Sequence, residues 1–154
     1  MAQTAVFPGS FDPFTKGHES IVRRVLPLFD HVIVAIGINS HKNYYFPLEK
    51  RKEWIRKVFA DEKKVSVESF SSLTIDFCRK MNAKFIIRGL RTTTDLEFEK
   101  AIAQMNKTMA DEIETLFILP TPELSAINST IIRDIVRNGG DASAFVPSAI
   151  DLKS

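Results

Sequence analysis

Cysteine is nearly missing from this chain of 154 residues: Cys78 stands alone, so no internal disulfide can form, and a reducing compartment is expected. Long apolar runs are missing too. None approaches the roughly 20 residues that a membrane helix needs. No basic start leads into an apolar stretch, so neither a signal peptide nor a membrane partner is expected. Charge of one sign does not dominate: 21 Lys and Arg stand against 19 Asp and Glu, a net +2. Without a basic stripe, nucleic acid is not expected as a partner. The three histidines and the single cysteine show no metal-ligand spacing, so no metal site built from protein ligands is expected. Repeats, low-complexity tracts and linkers are also wanting. What remains is one cytoplasmic domain spanning 1–154, long enough to bury a core.

The apolar residues that are present fall into two alternating patterns. Short runs at Thr4-Ala5-Val6-Phe7, residues 31–38, Val65-Ser66-Val67-Glu68, Phe85-Ile86-Ile87 and Leu116 to Leu119 predict strands. Pro8-Gly9 is expected to end the first of them. Between these runs, apolar residues recur at helical spacing over Gly17–Phe29, Leu48–Ala60, Leu73–Met81, Thr94–Asp111 and from Asn128 to Gly139. Pro27 is awkward in the first helix, and Thr94 with Glu97 has capping-box spacing. Phe145 to Leu152 is expected to form a loop and a short last helix. Five strands alternating with helices predict an α/β fold: a five-stranded parallel sheet with helices on both faces.

In such sheets ligands bind beyond the carboxyl ends of the strands. The loops that should meet there carry Ser10 and His18, then Lys42, then Ser72 and Thr74, then Arg88 and Arg91, and finally Ser125, Asn128, Ser129 and Thr130. The first loop, Gly9 to His18, puts glycines and a helix start where backbone N–H groups converge. Asp12 and Glu99 are the acidic residues among these positions. Cations, hydroxyls and helix N-termini gathered in one place predict a polyphosphate site.

The motifs Pro8-Gly9-Ser10-Phe11-Asp12-Pro13 with Thr15-Lys16-Gly17-His18, then Ile87-Arg88-Gly89-Leu90-Arg91, then Ile127-Asn128-Ser129-Thr130-Ile131-Ile132-Arg133 stand in order. From Val6 to about Pro147 the chain resembles the phosphopantetheine adenylyltransferases, within the nucleotidyltransferase superfamily with its Rossmann-like fold. The resemblance implies transfer of the adenylyl group of ATP to 4′-phosphopantetheine, giving dephospho-coenzyme A and pyrophosphate, by direct in-line attack. It implies His18, Lys42 and Arg91 as catalytic groups. Ser10, Lys42, Thr74 and Arg88 would bind the acceptor. ATP would meet Ser10, Phe11, His18, Gly89, Leu90, Arg91 and Glu99 on one side. Leu124, Ser125, Ala126, Ile127, Asn128, Ser129 and Thr130 would cradle adenine and triphosphate on the other. It further implies Mg²⁺ held mainly by ATP phosphates, coenzyme A as a feedback ligand, and a homohexamer. Ser72, Phe98, Leu124 and Asn128 depart from the family's usual residues, as does Ser10, which keeps the hydroxyl of the usual Thr.

Simpler readings stand beside these. Lys42 could be a solvated loop lysine, Arg91 could merely pair with Asp95, and Glu99 could lie on a solvated helix face. Arg88 ends a buried strand and so requires an anion or a carboxylate. Lys50-Arg51-Lys52 and Lys63-Lys64 read as solvated faces, Cys78 as buried and inert. Phe98, Ile102, Met105 and Met109 form a stripe suited to core or subunit contact. Two other functions fit the same loops: a cytidylyl or nicotinamide-nucleotide transferase, and a nucleotide sensor without turnover.

Overall fold

The computed structural model describes residues 2–154. Its elements run β1 (Thr4–Gly9), α1 (Lys16–Val25), β2 (His31–Gly37), α2 (Leu48–Val58), β3 (Val65–Phe70), α3 (Thr74–Lys80), β4 (Phe85–Gly89), α4 (Thr93–Met109), β5 (Glu114–Ile118) and α5 (Ser129–Arg137). The strands form one parallel sheet in the order β3-β2-β1-β4-β5. Each face carries its own apolar layer. Phe7, Val32, Val34 and Ile36 pack against α1, α2 and α5 on one side. Val6, Ile33 and Ala35 pack with Ile75, Phe77 and Cys78 on the other. This double burial explains why the central strands are continuously apolar. Cys78 is fully buried, and desolvation pushes its thiol up to about 11, so it is inert at neutral pH.

The strand order reverses direction at β1, and the ladder opens there. β1 pairs with β2 from Thr4↔His31 to Gly9↔Ile36, but with β4 only at Ala5↔Phe85 and Val6↔Ile86. Beyond Val6 the two strands part. Strand β1 therefore continues through Pro8 and Gly9, which the sequence suggested would end it. A proline in a central strand normally removes a ladder bond. Here the carbonyl of Pro8 accepts from Arg88 Nη1 of β4 at 2.7 Å, on the side where the ladder has already opened. The gap between β1 and β4 is the crevice in which an open α/β sheet holds its ligand.

Other departures have local causes. The first helix stops at Val25, and Leu26–Leu28 continues as a 3₁₀ turn, because Pro27 has no N–H to give to an α-helical partner. Helix α4 is capped by Thr92, whose hydroxyl accepts from the Asp95 N–H at 3.0 Å, and not by Thr94. Strand β4 extends to Gly89, which places Arg88 inside the strand. No last α-helix forms after Phe145: Ser143–Phe145 is a 3₁₀ turn, followed by turns. Of the three possible caps for α5, Asn128 acts, its Oδ1 accepting from the Ile131 N–H at 2.9 Å.

Candidate active site

The loop after β1 delivers His18 into α1 through a reciprocal cap. The Thr15 hydroxyl accepts from the His18 N–H at 3.2 Å, and His18 Nδ1 accepts from the Thr15 N–H at 3.0 Å. A backbone N–H can only donate, so Nδ1 carries the lone pair and the proton of the neutral ring sits on Nε2. The ring is wedged among Phe11, Phe14 and Phe7, with centroids at 4.9, 5.3 and 6.1 Å. That enclosure, reinforced by the Arg88 and Arg91 charges, lowers its pKa from 6.5 to about 3. At neutral pH His18 is therefore an uncharged imidazole with a fixed Nε2–H donor, not a base waiting to be protonated.

Two cavities open on this edge of the sheet. One, of about 310 Å³, is lined by His18, Arg91, Asn128, Ser129, Thr130 and neighbouring residues. The other, of about 410 Å³, is lined by Tyr44, Ser72, Thr74, Glu99, Asn106 and their neighbours. Pro8, Gly9, Ser10, Lys42 and Arg88 line both. The dividing wall thus carries a hydroxyl and two cations, and Lys42 Nζ donates to Ser10 Oγ at 3.2 Å. Lys42 is no free loop lysine: its ammonium also lies 5.4 Å from the centroid of the Tyr44 ring.

Most residues expected from the sequence line one cavity or the other. Phe11, Gly89, Leu90, Leu124 and Ile127 line the His18 cavity together with Arg91 and the 128–130 cap. Thr74 lines the other, as does Ser72. Ser125 and Ala126 are exposed and line neither; the Ser125 hydroxyl donates to the Pro122 carbonyl at 2.9 Å. Glu99, expected beside ATP, lines the cavity away from His18 and grips Arg88 instead. Arg88 Nε and Nη2 donate to Glu99 Oε2 and Oε1 at 3.0 and 2.6 Å. This fork is the carboxylate partner that Arg88 needs at the end of a buried strand. Arg91 Nε lies 3.9 Å from Asp95 Oδ2, an exposed pair that leaves the guanidinium on the cavity wall.

Three residues hold the site's loops through contacts that the sequence reading did not assign. Arg51, read there with Lys50 and Lys52 as a solvated face, is only 3% exposed. Its Nη1 donates to the Ser10 carbonyl at 2.7 Å and its Nε to the Phe46 carbonyl at 2.9 Å. Asp12 is buried, and its two oxygens accept from the Tyr45 and Phe46 N–H groups, both at 2.8 Å. Arg133 Nη1 donates to the Asp12 carbonyl at 2.8 Å, and Ser129 Oγ donates to the Pro13 carbonyl at 2.8 Å, so α5 is tied to the first loop. The spacing Leu48, Arg51, Trp54, Ile55, Val58 could have placed Arg51 on the inner face of α2, since Trp54, Ile55 and Val58 are buried.

A profile of the cytidylyltransferase-like family matches residues 6–135. The chain is 54% identical to the phosphopantetheine adenylyltransferase of Flavobacterium psychrophilum, over 97% of this chain and 98% of that one. It is 49% identical to the phosphopantetheine adenylyltransferase of Bacteroides fragilis, over 96% and 98%. The chain belongs to the phosphopantetheine adenylyltransferase family. Among solved structures, a putative nicotinate-nucleotide adenylyltransferase from Vibrio parahaemolyticus superposes with a TM-score of 0.73 at 21% identity, covering 97% of this chain and 96% of that one. A bifunctional NMN adenylyltransferase/ADP ribose pyrophosphatase from Francisella tularensis gives 0.72 at 21% identity, over 95% of this chain and 45% of that one. These structural likenesses establish the fold alone, since a fold by itself does not fix a function.

Proposed function

We propose that this chain transfers the adenylyl group of ATP to 4′-phosphopantetheine, forming dephospho-coenzyme A and releasing pyrophosphate. The observation that carries the reading is the shared wall: the two cavities meet at Pro8, Gly9, Ser10, Lys42 and Arg88, so a ligand in each can meet the other there. ATP takes the His18 cavity, with its phosphates between Arg91 and the start of α5, where helix N–H groups favour anions. The acceptor's arm takes the cavity bearing Thr74, and its phosphate reaches the wall.

An acceptor phosphate oxygen then attacks the α-phosphorus, the new P–O bond forms, and the bond to the β-bridging oxygen breaks. Pyrophosphate leaves with the electron pair. Lys42 offsets the repulsion between the two anions. Arg88 has five donors, of which Glu99 takes two and Pro8 takes one, leaving two for substrate. The Nε2–H of His18 donates to an oxygen of the five-coordinate phosphorus, where charge accumulates. Both Asp12 oxygens and both Glu99 oxygens are already engaged. A Mg²⁺ ion therefore fits best as a passenger on the triphosphate, where it would neutralise phosphate charge.

The rest of the reading concerns assembly and control. Helix α4 has no buried residue in this chain, and Phe98 and Met105 are 68% and 66% exposed. So apolar a helix face supports self-association, in keeping with a homohexamer. Coenzyme A, which joins an adenine nucleotide to a pantetheine arm, could span both cavities and act as a feedback ligand. The buried, reduced Cys78 suits the cytoplasm.

The test is pyrophosphate release measured for each pairing of ATP or CTP with 4′-phosphopantetheine or nicotinamide mononucleotide. ATP with 4′-phosphopantetheine should exceed every other pairing by at least about 100-fold. A faster pairing elsewhere would point to the cytidylyl or nicotinamide type. ATP binding with no release under any pairing would point to a sensor.

A further inference from the structure

Arg51 is a buried guanidinium with no carboxylate within ion-pair distance among the described residues. Burying such a charge is expensive unless its donors are used, and here they are used on backbone carbonyls. The two carbonyls belong to different loops: Ser10 follows β1 and Phe46 lies between β2 and α2. The two peptide units flanking Phe46 are both held, since the Phe46 N–H goes to Asp12, on the first loop, while the Phe46 carbonyl goes to Arg51. The Arg51 guanidinium also lies 4.4 Å from the centroid of the Tyr44 ring, the same ring against which the Lys42 ammonium rests.

The bond to Ser10 fixes a second group. The peptide from Ser10 to Phe11 is trans, so its carbonyl and its N–H point in opposite directions. With the carbonyl drawn to Arg51, the Phe11 N–H points away from Arg51, and it has no hydrogen-bond partner among the described residues. Phe11 lines the His18 cavity. Its φ of 48° is a conformation that a bulky residue rarely adopts, and it persists only where the surroundings hold it. The ring is locked by Phe7, Phe14 and His18; the preceding carbonyl is locked by Arg51.

We propose that Arg51 is a positioning residue of this site: it holds the Ser10–Phe11 peptide with its amide turned to the triphosphate, and it pins the Lys42 loop against that peptide. For its effect on turnover this rests on the adenylyl-transfer reading; for phosphate binding it rests on the geometry alone.

Inorganic tripolyphosphate is titrated into the ¹⁵N-labelled full chain and into Arg51→Met and Arg51→Lys, with turnover measured in parallel. In the natural chain the Phe11 amide signal should move saturably as tripolyphosphate binds. In Arg51→Met the Phe11 signal should no longer respond, tripolyphosphate should bind at least tenfold more weakly, and kcat should fall at least 30-fold. Arg51→Lys keeps the charge but reaches one carbonyl, so it should fold like the natural chain and lie between the two in all three readouts. Should Arg51→Met fail to fold, Arg51→Lys carries the test by itself. A Phe11 amide that responds normally in the folded variants, or undiminished affinity, overturns the proposal. A natural chain whose Phe11 amide reports tripolyphosphate but which releases no pyrophosphate supports this inference while overturning the enzyme reading.

Discussion

His18→Ala is expected to lower kcat by about 10³-fold while leaving ATP affinity within about threefold. The direction follows from the protonation of the ring. Nδ1 is committed to the Thr15 N–H, and enclosure by phenylalanines keeps the imidazole neutral. A neutral Nε2–H donor gains most from the oxygen whose charge grows as the α-phosphorus becomes five-coordinate. It gains less from ground-state ATP. An interaction stronger in the transition state than in the ground state appears in kcat and not in binding. Loss of one oxyanion-stabilising donor in an acyl-transfer site costs about 10²–10³-fold in kcat. The substitution also removes half of the α1 cap, which costs about 1 kcal/mol of stability. Calorimetric ATP binding beside single-turnover kinetics separates the two effects. Normal turnover in a well-folded His18→Ala chain would remove His18 from the mechanism.

Lys42→Ala is expected to lower kcat/KM for the acceptor by about 100-fold, about 2.7 kcal/mol, with a much smaller change in the KM for ATP. Lys42 stands on the wall between the cavities, 3.2 Å from Ser10 Oγ, where the two anions must approach each other. Without its charge the approach of the acceptor phosphate is opposed by the triphosphate. The Tyr44 ring would still be held by Arg51 and by its hydroxyl, which donates to the Gly37 carbonyl at 3.2 Å, so the loop should keep its course. Initial rates over a grid of both substrates check this. An unchanged acceptor dependence would return Lys42 to the role of a solvated side chain.

The sheet and the edge where its loops meet were legible because continuous apolar strands and helical spacing report burial on two faces. The order of chemistry-bearing loops could be read from the same pattern. Gly17-His18 and Arg88 announced themselves by local rules: a helix start, and a charge at a strand's end. Pairings between distant elements left no such trace. Glu99 sits eleven residues beyond Arg88, and only the fold brings α4 back over β4 to make the fork. Thr92-Asp95 and Thr94-Glu97 have the same spacing two residues apart, so local pattern could not choose between the caps. Arg51 was obscured by its neighbours: in the run Lys50-Arg51-Lys52 charge suggests solvent, whereas the helical phase set by Trp54 and Ile55 turns that one position inward. Ser125 and Ala126, which the resemblance gave as part of the 124–130 stretch, lie exposed just after the 3₁₀ turn at Pro122–Leu124.

In the proposed direct transfer the two substrates react with each other across the wall of Ser10, Lys42 and Arg88, with no covalent protein intermediate. The stereochemical course at the α-phosphorus tests this. With ATP made chiral at that centre by one sulfur substitution, and 4′-phosphopantetheine as acceptor, a single displacement predicts inversion of configuration in the dephospho-coenzyme A formed. Retention would mean two displacements through an adenylylated protein group, and would contradict the account.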